Sequence, residues 1–239
     1  MVFVSTSAPL PPRPGRVSRI TEIPREPLSR ERIVDAAMAV VDAGGLDALS
    51  MRSVAQALST GPASLYAHVA NKEELLELLI ERVAAGLDLP EPDAKHWQEQ
   101  VKDMVRAVHY GLLAHRDLAR ASLANIPLGE GALRYSERMI EILKLGGLPD
   151  QVVAYGIDLL PLYAVATAYE HALNAERMST EEGERYIAEL GAFFAALPPE
   201  RFPHIVALAG PLTAGGMEGE RFEFGLDVLV AGLAAYGHS

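Results

Sequence analysis

The chain has 239 residues, 49% hydrophobic and 6% aromatic, with 32 acidic against 21 basic side chains and a formal charge of −11. That length suits one large or two small domains burying roughly 70% of the unfolded surface. With no cysteine in the sequence, disulfides, thiol nucleophiles, zinc fingers and iron–sulfur ligation are excluded. An acidic balance argues against phosphate binding unless the charge is unevenly spread. It is uneven: residues 1–72 carry eight bases and six acids, a net +2, which leaves −13 to the rest.

The first 21 residues hold three Arg and no acid, and five prolines fall within the first 24. This composition predicts a disordered basic arm over 1–28 rather than a signal or transit helix. Nearly every later segment reads as helix. Ile33, Ala37, Val40 and Val41 share one face and stop at Gly44-Gly45, a helix C-terminus. Ser50 is placed to cap a short second helix, and Thr60-Gly61-Pro62 breaks it and begins a third, with proline suited to a first turn. Asn71 caps a fourth helix carrying Leu75, Leu76, Leu79, Ile80 and Val83.

Beyond Pro92, helices are predicted over 94–115, 117–124, 130–146, 149–177 and 180–197. Residues 198–219, with four prolines and four glycines, read as a loop, and a closing helix covers 220–237. The helix over 149–177 approaches membrane-span length, but Gly156, Asp158 and Pro161 within it fit a buried core helix better. With no span, signal or cysteine, the chain is expected to be soluble and cytoplasmic. The fold class is therefore all-α: a small three-helix head, a connecting helix and a larger helical body.

Met51 to Ala70 carries the most information. Ala55 supplies a small residue where two short helices must cross, while Val54, Leu58 and Leu65 face a shared core. The second of these helices, Pro62 to Val69, then exposes Ala63, Ser64, Tyr66, Ala67 and His68, small and polar groups able to approach base edges. Arg52, Lys72 and the basic arm flank the same face. The segment from Leu28 to Leu79 closely resembles the DNA-binding head of the tetracycline-repressor family. Ala36-Ala37, Gly44-Gly45, Leu49-Ser50-Met51-Arg52, Val54-Ala55 and Leu65-Tyr66-x-His68-Val69-x-Asn71-Lys72 carry the likeness. In the body, His115-Arg116-Asp117 and Phe222-Glu223-Phe224-Gly225-Leu226-Asp227 resemble the branch containing the tetracycline repressor itself.

The resemblance implies a homodimeric repressor that leaves its operator when the body binds a small molecule. It divides the chain into a DNA-binding domain (29–72), a connecting helix and linker (73–92) and a ligand-binding and dimerisation domain (93–239). Arg52 matches a position that reads guanine, and Ser50, Tyr66 and Lys72 match phosphate-contacting positions. Thr60, Pro62, Ala63, Ser64 and His68 complete the expected double-stranded DNA surface. The usual turn glycine is Ser59 here, a cost if positive φ is required.

The tetracycline repressor holds its drug through a magnesium ion bound to histidine. Ser122 stands where that histidine would fall, so no metal or other cofactor is expected, and the effector should be largely apolar. Polar candidates for its pocket are His109, Tyr110, Asp158, Tyr163 and Glu170. Asp158 is the only charge between Asp150 and Glu170; it either meets the effector or pairs with an arginine or at a dimer boundary. Dimerisation is expected through the helices over 149–177 and 220–237, where Gly225 and Gly232 lie a heptad apart. An enzyme is disfavoured, since the sequence has no G-x-S-x-G, H-E-x-x-H, P-loop or G-x-G-x-x-G. An acidic adaptor using the head for protein contacts is the remaining alternative.

Overall fold

The computed structural model describes residues 27–115, 117–123, 126–178, 180–214 and 218–238. Nearly all of the expected arm, and Arg116, lie outside them. Among the described residues every element is helical. The head holds α1 (Arg30–Ala48), α2 (Met51–Ala57) and α3 (Pro62–Leu65), and α4 (Lys72–Ala85) leads out of it. The body comprises α5 (Trp97–Leu113), α6 (Leu118–Ser122), α7 (Glu130–Leu145), α8 (Asp150–Met178), α9 (Glu181–Ala195), α10 (Pro203–Ala207), α11 (Ala209–Leu212) and α12 (Glu218–Ala234). A 3-10 turn, Ala235–His238, follows.

Local chemistry sets the head's boundaries. Ser29 caps α1 by accepting the Arg32 N–H at 3.3 Å. The helix breaks at Gly45, whose φ of 74° and ψ of 179° belong to a region open almost only to glycine, and the turn through Ala48 leaves in a new direction. Ser50 and Ser53 cap α2 reciprocally: Ser50 Oγ accepts the Ser53 N–H at 3.0 Å and Ser53 Oγ accepts the Ser50 N–H at 2.9 Å. Ser59, at φ 51°, makes the turn into α3 in the left-handed conformation expected to be costly there. Pro62 occupies the first turn of α3, and Asn71 Oδ1 accepts the Glu74 N–H at 2.7 Å to start α4.

Two expectations need correction. The third helix is a single α-turn, Pro62–Leu65, and not a helix to Val69; the chain continues through tighter turns to His68. The segment 198–219 is not all loop, because α10 and α11 lie within it. Pro203 stands in the first turn of α10, where the missing N–H costs nothing.

The head is not a separate bead. Ile33, Val41, Leu46, Val54, Leu65, Leu75 and Leu79 belong to one buried cluster with Leu112 of α5, Leu118 and Ala119 of α6 and Ala168 of α8. A second cluster fills the body between α5, α7, α8 and α12, around Met104, Met139, Ile142, Leu160 and Leu226. Gly131 brings α7 onto the backbone of α4, since a Cβ there would lie 2.5 Å from the Ala85 nitrogen. Glu81 fixes that approach by accepting the Gly131 N–H at 2.5 Å.

On the outer side, Arg106 reaches Glu223 at 2.7 Å and Lys102 reaches Asp227 at 2.5 Å, tying α5 to α12. The closing motif thus alternates roles, with Phe222 and Leu226 buried and Glu223 and Asp227 in ion pairs. Residues 150–175 of α8 are long and apolar enough to cross a membrane, yet only 33% of the apolar window is buried. This leaves an apolar stripe on the outside of the body.

Two positive-φ positions in the head, Gly45 and Ser59, give a paired prediction. Gly45→Ala should lower stability by about 1–3 kcal/mol, and Ser59→Gly should raise it by about 1 kcal/mol. Urea midpoints of the two variants against the parent chain provide the check.

Candidate nucleic-acid interface and effector cavities

The head exposes the residues expected to meet DNA. Ser50, Arg52, Pro62, Ala63, Ser64 and Tyr66 are exposed, and Thr60, His68 and Lys72 are partly exposed. They stand there because Val54, Ala55, Leu65 and Val69, between them in sequence, are buried. Among the described bases of the head, Arg30 pairs with Glu74, Arg32 donates to the Pro27 carbonyl at 2.9 Å and Lys72 donates to the Leu46 carbonyl at 3.3 Å. Arg52 alone has no such partner among the described residues.

The body grips the head at one corner. Asp117, at the start of α6 with φ 61°, accepts the Leu46 N–H at 3.1 Å. His115 Nδ1 lies 3.1 Å from Asp42 Oδ1, and Arg120 reaches Asp47 at 3.1 Å. Two members of the His115-Arg116-Asp117 motif therefore tie the body to the end of α1. Sequence reasoning noted the motif without assigning it this work.

The five polar pocket candidates do not converge. Two cavities flank the wall made by α5 and α8, and successive faces of those helices serve opposite sides. The larger, about 320 Å³, is lined by Val83 of α4, Leu87 just beyond it, Val108 and Leu112 of α5, Ser122 of α6, Tyr135 and Ser136 of α7, and Asp158, Pro161 and Val165 of α8, among others. The smaller, about 220 Å³, is lined by His109, Tyr163, Thr167, Glu170, His171, Arg221 and Phe222. Asp158 thus stands apart from His109, Tyr163 and Glu170, while Tyr110 is half exposed and lines neither cavity.

In the smaller cavity most polar groups are already committed. Thr167 donates to the Tyr163 carbonyl at 2.7 Å. His109 Nδ1 lies 3.0 Å from Thr167 Oγ1 and 3.3 Å from the Ala164 carbonyl. A carbonyl only accepts, so Nδ1 carries the proton. Tyr163 donates to the Phe222 carbonyl at 2.9 Å, Arg221 pairs with Glu170 at 3.2 Å, and the His109 ring stacks on Phe222 with centroids 4.0 Å apart. The arrangement knits α5, α8 and α12 together. Burial is the main cause holding the His109 imidazole below its ordinary pKa, and His171 adds to the effect.

In the larger cavity, Ser122 Oγ donates to the Leu118 carbonyl at 3.0 Å and Ser136 Oγ to the Ala132 carbonyl at 2.9 Å. Asp158 is exposed at its edge and has no ion-pair partner among the described residues. Sequence reasoning missed Tyr135, which is buried here with no hydrogen-bond partner for its hydroxyl among the described residues. Its place on the buried face of α7 with Met139, Ile142 and Leu143 gave no signal beyond an ordinary core tyrosine.

A helix-turn-helix head that exposes the residues expected to meet DNA, locked to a helical body that encloses an apolar cavity, is the build of a ligand-responsive DNA-binding regulator. Comparison with known proteins agrees. The description "Bacterial regulatory proteins, tetR family" matches residues 33–79, and "Tetracyclin repressor-like, C-terminal domain" matches residues 89–236. The chain is 29% identical to the HTH-type transcriptional repressor DrrR1 of Streptomyces coeruleorubidus, over 88% of this chain and 78% of that protein. It is similar to the crystal structure of apo ActR from Streptomyces coelicolor, with 42% identity, a TM-score of 0.81 and coverage of 90% of this chain and all of that one. ActR in complex with actinorhodin matches with 44% identity and a TM-score of 0.82, over 87% of this chain and 96% of that one. The chain belongs to the tetR family of bacterial regulatory proteins. It is a transcriptional regulator and not an enzyme.

His109 predicts a pH dependence. An unfolded chain takes up a proton at this histidine below about 6.5, whereas the folded protein resists it because the folded pKa is depressed. Stability from this group is full above that pH and falls as the solution is acidified. The parent chain should therefore lose more stability than His109→Gln between pH 7.5 and 5.5. Urea unfolding at the two pH values measures the difference, and equal losses would refute it.

Proposed function

We propose that the chain is a homodimeric repressor, working in the cytoplasm, that leaves a palindromic operator when a small, largely apolar effector enters the larger cavity without a metal. In this reading residues 29–72 bind DNA, 73–92 connect, and 93–239 bind the effector and form the dimer. The observation that carries it is a convergence on Leu46. The cavity is walled by α4 and by the end of α6, and the opposite ends of these two helices hold the carbonyl and the N–H of that one residue through Lys72 and Asp117. An effector that spreads or closes those walls acts directly on the corner that positions the head. Its leverage is its differential affinity for the two arrangements. The solved ActR complex with actinorhodin supports a small-molecule effector in a body of this build.

On DNA, Arg52 is assigned to a guanine edge, because it is exposed and uncommitted. Ser50, Tyr66 and Lys72 are assigned to phosphates, with Thr60, Pro62, Ala63, Ser64 and His68 against the groove. Only small side chains stand at Ala63 and Ala67, so part of the selectivity falls to DNA shape.

The dimer reading rests on the unpartnered apolar stripes. Tyr155, Leu159 and Leu162 of α8 and Phe224 and Val228 of α12 are all exposed, at the spacing of one helix face. Two such helices per subunit suit a four-helix interface. Gly232 belongs to this face, since a Cβ there would meet nothing within 4 Å. Gly225 does not, because a Cβ there would lie 2.1 Å from Tyr163 Oη.

The test begins by selecting bound fragments from the source genome and measuring their affinity by fluorescence anisotropy against salt. A palindromic site with a steep salt slope supports the reading, and a flat slope without sequence preference removes it. Arg52→Ala should weaken binding to that site by about tenfold or more while sedimentation still shows a dimer. Val228→Glu should instead yield monomers on sedimentation, with operator affinity lost in proportion to the dimer.

A further inference from the structure

We propose that Glu81 is the positioning residue that carries the state of the larger cavity to the head, by holding the last turns of α4 on the N-terminus of α7. The inference rests on the reading of that cavity as the effector site and specifies which side chain makes an occupant felt outside it.

The first N–H groups of a helix need acceptors from outside it. Gly129, at the N-cap of α7, has no side chain to offer. Glu81 supplies the acceptor from α4: its carboxylate takes the Gly131 N–H at 2.5 Å and, more loosely, the Ala132 N–H at 3.4 Å. A negative charge is also what a helix N-terminus favours. Two glycines make room for this joint. A Cβ on Gly129 would overlap the Glu81 carboxyl, and one on Gly131 would lie 2.5 Å from the Ala85 nitrogen. No other hydrogen bond or ion pair joins α4 to α7 among the described residues.

The joint lies between the cavity and the head. Ile80, Val83 and Ala84 of α4 line one wall of the cavity, and Ala132, Tyr135 and Ser136 of α7 line another. α4 also belongs to the head: Leu75 and Leu79 are buried in the cluster that fills it, and Arg82, next to Glu81, reaches Asp35 of α1 at 2.6 Å. Packed helices push on each other through contact. Against separation, however, charge-assisted hydrogen bonds hold far better than the shallow attraction between single pairs of packed carbons. When the cavity fills or empties, α7 therefore draws α4 with it as well as pressing on it, and α4 moves the head.

The test uses the full-length protein, an operator duplex obtained by the genomic selection, and N-phenyl-1-naphthylamine, a neutral apolar fluorophore, as the cavity probe. Fluorescence titration gives the probe's dissociation constant with and without saturating duplex, and the ratio of the two measures the coupling between cavity and head. In the parent chain the duplex should weaken probe binding about fivefold or more. In Glu81→Ala the ratio should fall to within about twofold of one, while affinity for the probe alone and for the duplex alone stays within about twofold of the parent's. Glu81→Gln, which keeps an acceptor oxygen, should retain the parent's ratio. Gly129→Ala gives an independent check. Its φ of −70° and ψ of 165° suit alanine, so the added methyl displaces the carboxylate without straining the backbone, and the ratio should fall again.

If Val165→Trp blocks the probe and the parent couples, but Glu81→Ala and Gly129→Ala keep the parent's ratio, the cavity reading stands and the role of Glu81 falls. Should Glu81→Ala fail to fold, Gly129→Ala decides alone. A Glu81→Gln chain as uncoupled as Glu81→Ala would also overturn the assignment, since the joint requires an acceptor. If the parent does not bind the probe, if Val165→Trp binds it as the parent does, or if the duplex leaves its affinity unchanged, the cavity reading falls and takes this inference with it.

Discussion

The position of the head depends on how one backbone unit is satisfied. The break at Gly45 frees the Leu46 N–H from the helix ladder, and a buried amide without a partner is expensive. The body supplies the acceptor through Asp117 at 3.1 Å, while Lys72 reaches the Leu46 carbonyl at 3.3 Å and the Leu46 side chain lies in the shared core. The glycine that bends α1 thus creates the demand that the body meets. The surrounding contacts, the His115–Asp42 hydrogen bond and the Arg120–Asp47 ion pair, are partly exposed and worth little individually. The desolvated corner and the hydrophobic cluster through Leu112, Leu118 and Ala168 do more to fix the head, and a movement of α4 or α6 cannot leave it untouched.

The wall of α5 and α8 separates two cavities of opposite character. Asp158, Pro161 and Val165 recur at three- and four-residue steps and line one cavity with residues of α4 and α7; Tyr163, Thr167 and Glu170 recur the same way and line the other with residues of α12. The His109 side closes on itself through hydrogen bonds and a stacked ring, whereas the other is lined mainly by aliphatic side chains. A large polar count around a cavity is therefore a poor guide to a binding site when those groups already bond one another. What recommends the apolar cavity is that its walls include the helices that hold the head.

What could be read from the sequence follows the range of the forces involved. Caps at Ser50 and Asn71, Pro62 in a first turn and the strained turn at Ser59 are settled within four residues, and each was legible. The turn of α3 was overextended because Tyr66 to Val69 keeps a helical pattern while Val69 must pack into the head core. The loop expected over 198–219 failed through composition, since prolines at a first turn permit helix. Tyr135 was invisible for a different reason. Its lack of a partner depends on several packed helices together, and no local pattern separates it from a satisfied core tyrosine. The five pocket candidates scattered because one face of α8 cannot be told from another without knowing which neighbours flank it.

Charge shows the same division between counting and geometry. The net +2 of residues 1–72 marks that end as the one suited to a polyanion, against −13 elsewhere. Yet the sum includes bases that the fold pairs with acids, such as Arg30 on Glu74. Attraction to phosphate comes from charges free to displace the counterions condensed on DNA, and a guanidinium already paired contributes little. Arg52 owes its availability to α2's geometry: Met51, Val54 and Ala55 are buried against the head core, which turns the intervening arginine outward with no acidic neighbour in reach. Among the described bases of the head, the fold thus leaves Arg52 exposed and uncommitted even though the chain as a whole is acidic.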